Sequence, residues 1–242
     1  MNLYFIFEGK TEEITYKKWL SFLLPEFKEV KNVDEARGNN YFYYSDIGIP
    51  DCYSLIATAI QEINIYKNYD YLVLFIDADN LSVDEKLMEA EQFIQEHLQK
   101  EAYKNLPKNC QLRIIVQKVC IETWFLGNLK FIKNNPQSEL IKSYLEFFDV
   151  RKNCPEELVN SIDDKARLIF GDIPKAQIHH KYLRECFKEH TIRKNQSLSY
   201  QKTKPIEVIE QYYFNELIKR IEKYPTHLKS FQNFINFIQQ IK

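Results

Sequence analysis

The stretch Tyr71-Leu72-Val73-Leu74-Phe75-Ile76-Asp77-Ala78-Asp79-Asn80 decides the fold. Its first six residues are apolar without interruption and rich in aromatic and branched side chains, which predicts a strand. A strand with no polar face is buried on both sides, as in the middle of a parallel sheet. The run then stops at two aspartates one residue apart. Outward from it, Leu3 to Phe7 predicts another short strand, punctuated by Gly9 and Thr11. Glu12 to Leu24 carries Ile14, Tyr16, Trp19, Leu20, Leu23 and Leu24 near helical spacing, and Pro25 ends it. Tyr41 to Ile47 predicts a strand, and Asp51 to Ile65 a helix behind Pro50. Ser82 to Lys100 predicts a helix with Ser82 as its cap and Glu85 three residues on. Leu112 to Gln117 completes the strands, and Ile121 to Leu129 opens a further helix.

This alternation predicts an α/β protein: a mostly parallel sheet with helices on both faces. After about residue 130 only helical stretches follow, over 138–148, 155–168, 175–189 and 205–241, the last broken at Pro225. The expected organisation is an α/β domain over 1–130 and a mainly helical C-terminal region over 131–242. Packing of that region on the sheet as a single unit stays open.

Composition narrows the class. With 242 residues, 45% hydrophobic and 28% charged, the chain is long enough for a sizeable core and too apolar for general disorder. Five Gly and eight Pro exclude collagen-like architecture. No apolar run approaches the roughly 18 residues of a spanning helix, so no membrane partner is expected. The N-terminus lacks a basic region and reads as a strand rather than a signal peptide. The five cysteines, Cys52, Cys110, Cys120, Cys154 and Cys186, are odd in number and contain no Cys-x-x-Cys, so a reduced cytoplasmic protein is expected. The formal charge of −1 conceals an asymmetry of −6 over residues 1–130 and +5 over 131–242. An acidic half beside a basic one suits metal binding paired with polyanion binding.

Ligands of open α/β sheets bind outside the carboxyl ends of the strands. Glu8 closes the first strand, and Asp77 and Asp79 close the central one. Parallel strands would bring all three to one rim, with Asp77 and Asp79 aimed to one side by the strand period of two. Clustered carboxylates repel and need compensating charge, and oxygen-only ligands suit one or two Mg²⁺ or Mn²⁺ ions. Glu12 lies in the first helical turn, where it either offsets the helix dipole or adds a metal ligand. Gly9-Lys10-Thr11 imitates the end of a phosphate-binding loop, but Tyr4 stands where the upstream glycine is required, so ATP hydrolysis is not expected.

Phe7-Glu8-Gly9-Lys10-Thr11-Glu12-Glu13 followed by Leu74-Phe75-Ile76-Asp77-Ala78-Asp79-Asn80 resembles the Toprim domain, and more narrowly that of OLD-family nucleases and RloB-type defence proteins. Ser45-Asp46-Ile47-Gly48 resembles the small glycine-bearing motif between them, although Gly48 stands alone where relatives often carry paired glycines. Cys120-Ile121-Glu122-Thr123-Trp124-Phe125-Leu126 resembles the Phe-Glu-x-Trp-Leu stretch of RloB-type proteins, and Ser199-Tyr200-Gln201-Lys202 is similar to a late Tyr-Ser-Lys-type element in altered order. The resemblance covers about the first 130 residues. It implies a Toprim-like fold and a Mg²⁺-dependent nuclease, a toxic effector of anti-phage defence that works with a separate ATPase subunit. A fused ATPase is not expected in this chain.

The expected chemistry is therefore phosphodiester cleavage in DNA or RNA. Glu8, Glu12, Asp77 and Asp79 would hold metal, and Glu122 either joins them as a catalytic residue or is a helix-start glutamate beside the packing of Trp124. Glu8 acts either as ligand or as general acid or base. Lys118, Lys181, Arg184, Arg193, Lys194, Lys202 and Lys204 are the expected nucleic-acid contacts, with Tyr182 and Tyr200 placed to stack on bases or to pack internally. His179, His180, Cys186 and His190 match no zinc-finger spacing. Two other readings fit the same residues. One is a metal-dependent Asp-x-Asp glycosyltransferase, which does not require Glu8. The other is a non-catalytic interaction subunit of an ATPase partner.

Overall fold

A computed structural model describes residues 1–45, 51–100, 105–133, 135–158, 160, 163–194 and 200–242, with side chains at 51, 97–100 and 191–194 excepted. Asp46 to Pro50 and Ser199 therefore lie outside the described residues, as do the side chains of Arg193 and Lys194. The chain forms two compact units, one of residues 1–77, 81–116 and 242, the other of 78–80 and 117–241. The division thus falls at 116/117 rather than near 130. The reason is chemical: Thr123 bonds His179, Glu122 accepts from Tyr200, and Trp124 donates to Ser230, so the segment after residue 117 is tied to later helices.

An all-parallel five-stranded sheet, order β2-β3-β1-β4-β5, organises the first unit. Its strands are β1 (Asn2–Phe7), β2 (Lys28–Glu29), β3 (Asn40–Ser45), β4 (Tyr71–Asp77) and β5 (Gln111–Gln117), the last residue of which falls in the second unit. The two-residue edge strand β2 has no hydrophobic pattern and was not foreseen from the sequence. β1 is buried along its whole length because it is central and covered on both faces. Phe5 and Phe7 point to one face, where Phe7 stacks on Tyr16 of α1 (Lys10–Leu23) at 5.6 Å between ring centres. Tyr4 points to the other, where its hydroxyl donates to Glu62 of α2 (Asp51–Tyr66). α3 (Val83–Lys100) joins α2 on that second face through Tyr53 and Phe93, 4.9 Å apart. Its start is the predicted capping box: the Glu85 amide donates to Ser82 Oγ at 3.1 Å, and the Ser82 amide to Glu85 Oε2 at 2.7 Å.

The second unit holds α4 (Ile121–Phe125), α5 (Glu139–Phe147), α6 (Asp164–Phe170), α7 (Lys175–Lys194), α8 (Gln211–Lys223) and α9 (Lys229–Gln240). Three expectations shift here. α4 stops at Phe125 because tight turns follow, Gly127 N to Trp124 O and Asn128 N to Phe125 O. The single helix expected over 155–168 is a 3₁₀ turn at Pro155–Glu157 and a separate α6, which Asp163 caps through the Ala166 amide at 2.7 Å. Residues 205–210 are turns, so α8 begins only at Gln211. Trp124 packs against Phe231 and Phe234 of α9, which places these two rings in the unit's core. Among the described residues no helix is long and apolar enough to cross a membrane.

Candidate active site

β1 and β4 lie side by side with Phe7 opposite Phe75, so both strands end at the same sheet edge. The connections leaving them diverge: β1 leads to α1 on one face, and β4 leads to α3 on the other. That makes the β1/β4 edge the switch point of a doubly wound sheet, the position where such sheets bind ligands. Glu8 and Asp77 stand there. The Glu8 amide donates to Phe75 O at 3.2 Å, and its carboxylate Oε2 accepts the Asp77 amide at 2.8 Å. Both residues are half-buried. The sequence therefore placed these two acids together correctly, and the bond between them fixes the Glu8 carboxylate against the neighbouring strand.

Glu12 joins this edge from the first turn of α1. It is only 7% exposed, more than dipole compensation at a solvated helix end requires. A Cβ added at Gly9 would stand 2.9 Å from Glu12 Oε2, so the carboxylate folds back over the Gly9 backbone. Gly9 itself is extended (φ −154), so its role is to leave room rather than to supply a left-handed turn. Tyr16 lies fully buried beneath. Its phenol is pushed well above the usual range first by burial and then by Glu12 and Asp77, which places both carboxylates around it. Glu13 is committed elsewhere, to Lys10 at 2.9 Å and to the Tyr43 hydroxyl at 3.3 Å.

Asp79 departs from expectation. β4 ends at Asp77, so the period-two argument that aimed both aspartates to one side does not reach Asp79. Asp79 is exposed in the left-handed conformation (φ 51), belongs to the second unit, and donates its amide to Val119 O at 2.9 Å.

Glu122 is fully buried within the second unit. Its Oε1 accepts the Tyr200 hydroxyl at 3.0 Å and lies 3.4 Å from Lys202 Nζ, while Oε2 has no hydrogen-bond partner among the described residues. The expected basic contacts separate into groups. Arg184 and Lys202 line one cavity with His180 and Tyr200. Lys181 turns away to bond Phe170 O at the end of α6. The Lys118 amide bonds Ser230 Oγ, and its side chain bears on Glu156. Tyr182 is buried and donates to Phe148 O at 2.9 Å, the packing alternative. His179 is buried with Nδ1 2.9 Å from Thr123 Oγ1, and His190 stacks on Phe131. Among the described residues no three His, Cys, Asp or Glu side chains stand close enough together to hold a metal ion. Sequence reasoning missed Tyr16 as a neighbour of the acids, and Arg220, which is buried at 0% exposure with no ion pair to a carboxylate among the described residues. Nothing in a helical spacing pattern marks either one.

Fold and site together define a doubly wound α/β protein with acids at its switch point. The chain belongs to the family described as Domain of unknown function (DUF4276), which it matches over residues 7–222. No curated protein and no solved structure matches the chain.

Proposed function

We propose that the protein is a metal-dependent nuclease, of the Toprim type its sequence resembles, cleaving phosphodiester bonds in DNA or RNA. The observation that supports this best is the 2.8 Å bond from the Asp77 amide to the Glu8 carboxylate at the β1/β4 switch point. Glu8, Glu12 and Asp77 form an all-oxygen donor set of the kind hard divalent cations prefer. The room over Gly9 lets Glu12 reach that edge. These features fit Mg²⁺ or Mn²⁺ in donor chemistry, and binding must draw the three carboxylates closer than they stand. The cation, when bound, supplies charge for the phosphate oxygens and a more acidic water.

The chain's own residues prepare that edge. The Asp77 amide orients Glu8 as ligand or proton acceptor, and Tyr16, kept protonated, presents a neutral wall rather than another negative charge. A nucleic-acid substrate, a separate ATPase partner and a role as a toxic anti-phage effector follow from the same resemblance and belong to the proposal.

The test is incubation of the full chain with DNA, tRNA and total RNA, with Mg²⁺ or Mn²⁺ and with or without an ATPase partner, alongside Glu8→Gln and Asp77→Asn. Metal-dependent cleavage that falls by at least about 10²-fold in both variants is expected. Inactivity in every combination would favour a non-catalytic interaction subunit. Sugar-nucleotide hydrolysis insensitive to Glu8→Gln would favour a glycosyltransferase.

A further inference from the structure

The second unit carries a cavity of about 380 Å³ lined by His180, Arg184, Tyr200, Gln201, Lys202 and Thr203. His180 and Arg184 are four residues apart on α7, so they share one helix face. Lys202 comes from the turn after Tyr200, with its side chain half exposed, and Glu122 lies directly behind it. That carboxylate holds the Tyr200 hydroxyl and the lysine head together, so Lys202 enters the cavity wall already restrained. Arg184 is half exposed, with Nε 3.6 Å from Glu185, a carboxylate that Lys188 also engages. Two cations and a histidine thus face one small space, with Glu122 behind Lys202 and Glu185 beside Arg184. His180 registers this field: burial lowers its pKa, Glu122 opposes the shift, and Lys202 and then Arg184 add to it.

We propose that this cavity binds a phosphoryl group of a polynucleotide strand. An arginine fork beside a lysine point charge is the pairing that phosphate oxygens take most readily. The volume suits one phosphate with its sugar and not a stretch of duplex, so the strand enters singly or by its end. The inference deepens the nuclease reading by naming a substrate subsite, yet the subsite can be tested without cleavage.

The experiment is imidazole NMR of the full chain carrying Glu8→Gln, in chelator, with the His180 resonance assigned through His180→Gln. The probes are inorganic phosphate, a deoxynucleoside monophosphate, and a short single-stranded oligonucleotide with and without a terminal phosphate. The His180 pKa is expected to rise by about one unit on binding, since a bound anion opposes the two cations. Arg184→Ala and Lys202→Gln should each weaken the response at least tenfold, with melting temperatures confirming folded protein. Lys152→Ala, an exposed lysine of the same unit outside the cavity, should leave it unchanged. Tighter binding of the oligonucleotide than of the mononucleotide supports a polynucleotide source, and the reverse order overturns that source in favour of a free nucleotide. No movement of His180 with any probe, or wild-type titration in both variants, overturns the subsite. Binding here without nuclease activity would reject the cleavage reading and leave the subsite standing.

Discussion

Buried charge serves different ends in the two units. In the second, half-buried Glu156 and fully buried Glu189 and Arg220 are answered by nearby groups that build the fold. Glu156 accepts the Lys229 and Ser230 amides and the Ser230 hydroxyl, and so anchors the start of α9. Glu189 accepts the Gln137 and Ser138 amides at 2.7 and 2.8 Å. Arg220 gives its guanidinium to the carbonyls of Gly127, Val150 and Asn153 and to His227 Nδ1, and burial holds its pKa down to about 10. In the first unit the acids instead gather where two adjacent parallel strands end. The lesson is that burial alone does not mark a site; the position of the acid in the topology does.

The sharpest way to break that contrast is at Arg220. Arg220→Met leaves several buried carbonyls unanswered and should cost about 3–5 kcal/mol in chemical unfolding, without a specific effect on cleavage in the folded fraction. A loss below about 1 kcal/mol would show the cage to be ornamental. Gly9→Ala should behave in the opposite way. The new methyl meets only the end of the flexible Glu12 side chain, so melting should change little while cleavage falls about tenfold or more. Equal losses of stability and activity would place Gly9 with the structural group.

His179 sharpens the comparison through pH. Burial lowers its pKa to about 3, far below the ordinary histidine value. The unfolded chain therefore binds a proton that the folded chain refuses, so stability is full above about pH 6.5 and is lost as pH falls toward 3. The limiting slope is about 1.4 kcal/mol per pH unit for one such group. His180 and His227, also lowered by burial, act in the same direction. Unfolding free energy measured from pH 7 to 4 should show a shallower decline in His179→Gln than in wild type, and parallel curves would contradict the assignment. The smallest effect belongs to Ser82→Ala, which opens the α3 capping box and should cost about 1 kcal/mol in thermal unfolding with cleavage intact.

Legibility in the sequence followed the range of the forces involved. The 71–76 run announced β4, and Ser82 with Glu85 announced α3, because strand burial and helix capping are written in adjacent residues. The meeting of Glu8 with Asp77 was readable from topology, since parallel strands put their ends at one edge. Asp163 and Gly171 (φ 86) bound α6 and were local signals that the long-helix reading of 155–168 passed over. The bond of Tyr200 to Glu122 joins residues 78 apart and has no local trace. Strand periodicity does not reach Asp79, because β4 ends two residues earlier, at Asp77.

The amino-acid order by itself determined the alternation of strands and helices, the acidic first half and basic second half, and two of the acids at the sheet edge, because periodicity, capping and composition act over a few residues. Only the tertiary structure decided that Glu12 folds over Gly9, that Asp79 takes a left-handed turn, and that Glu122 braces a lysine and a tyrosine. Those outcomes depend on which distant groups compete for the same buried space and the same hydrogen bonds, a competition that begins only when the chain has packed.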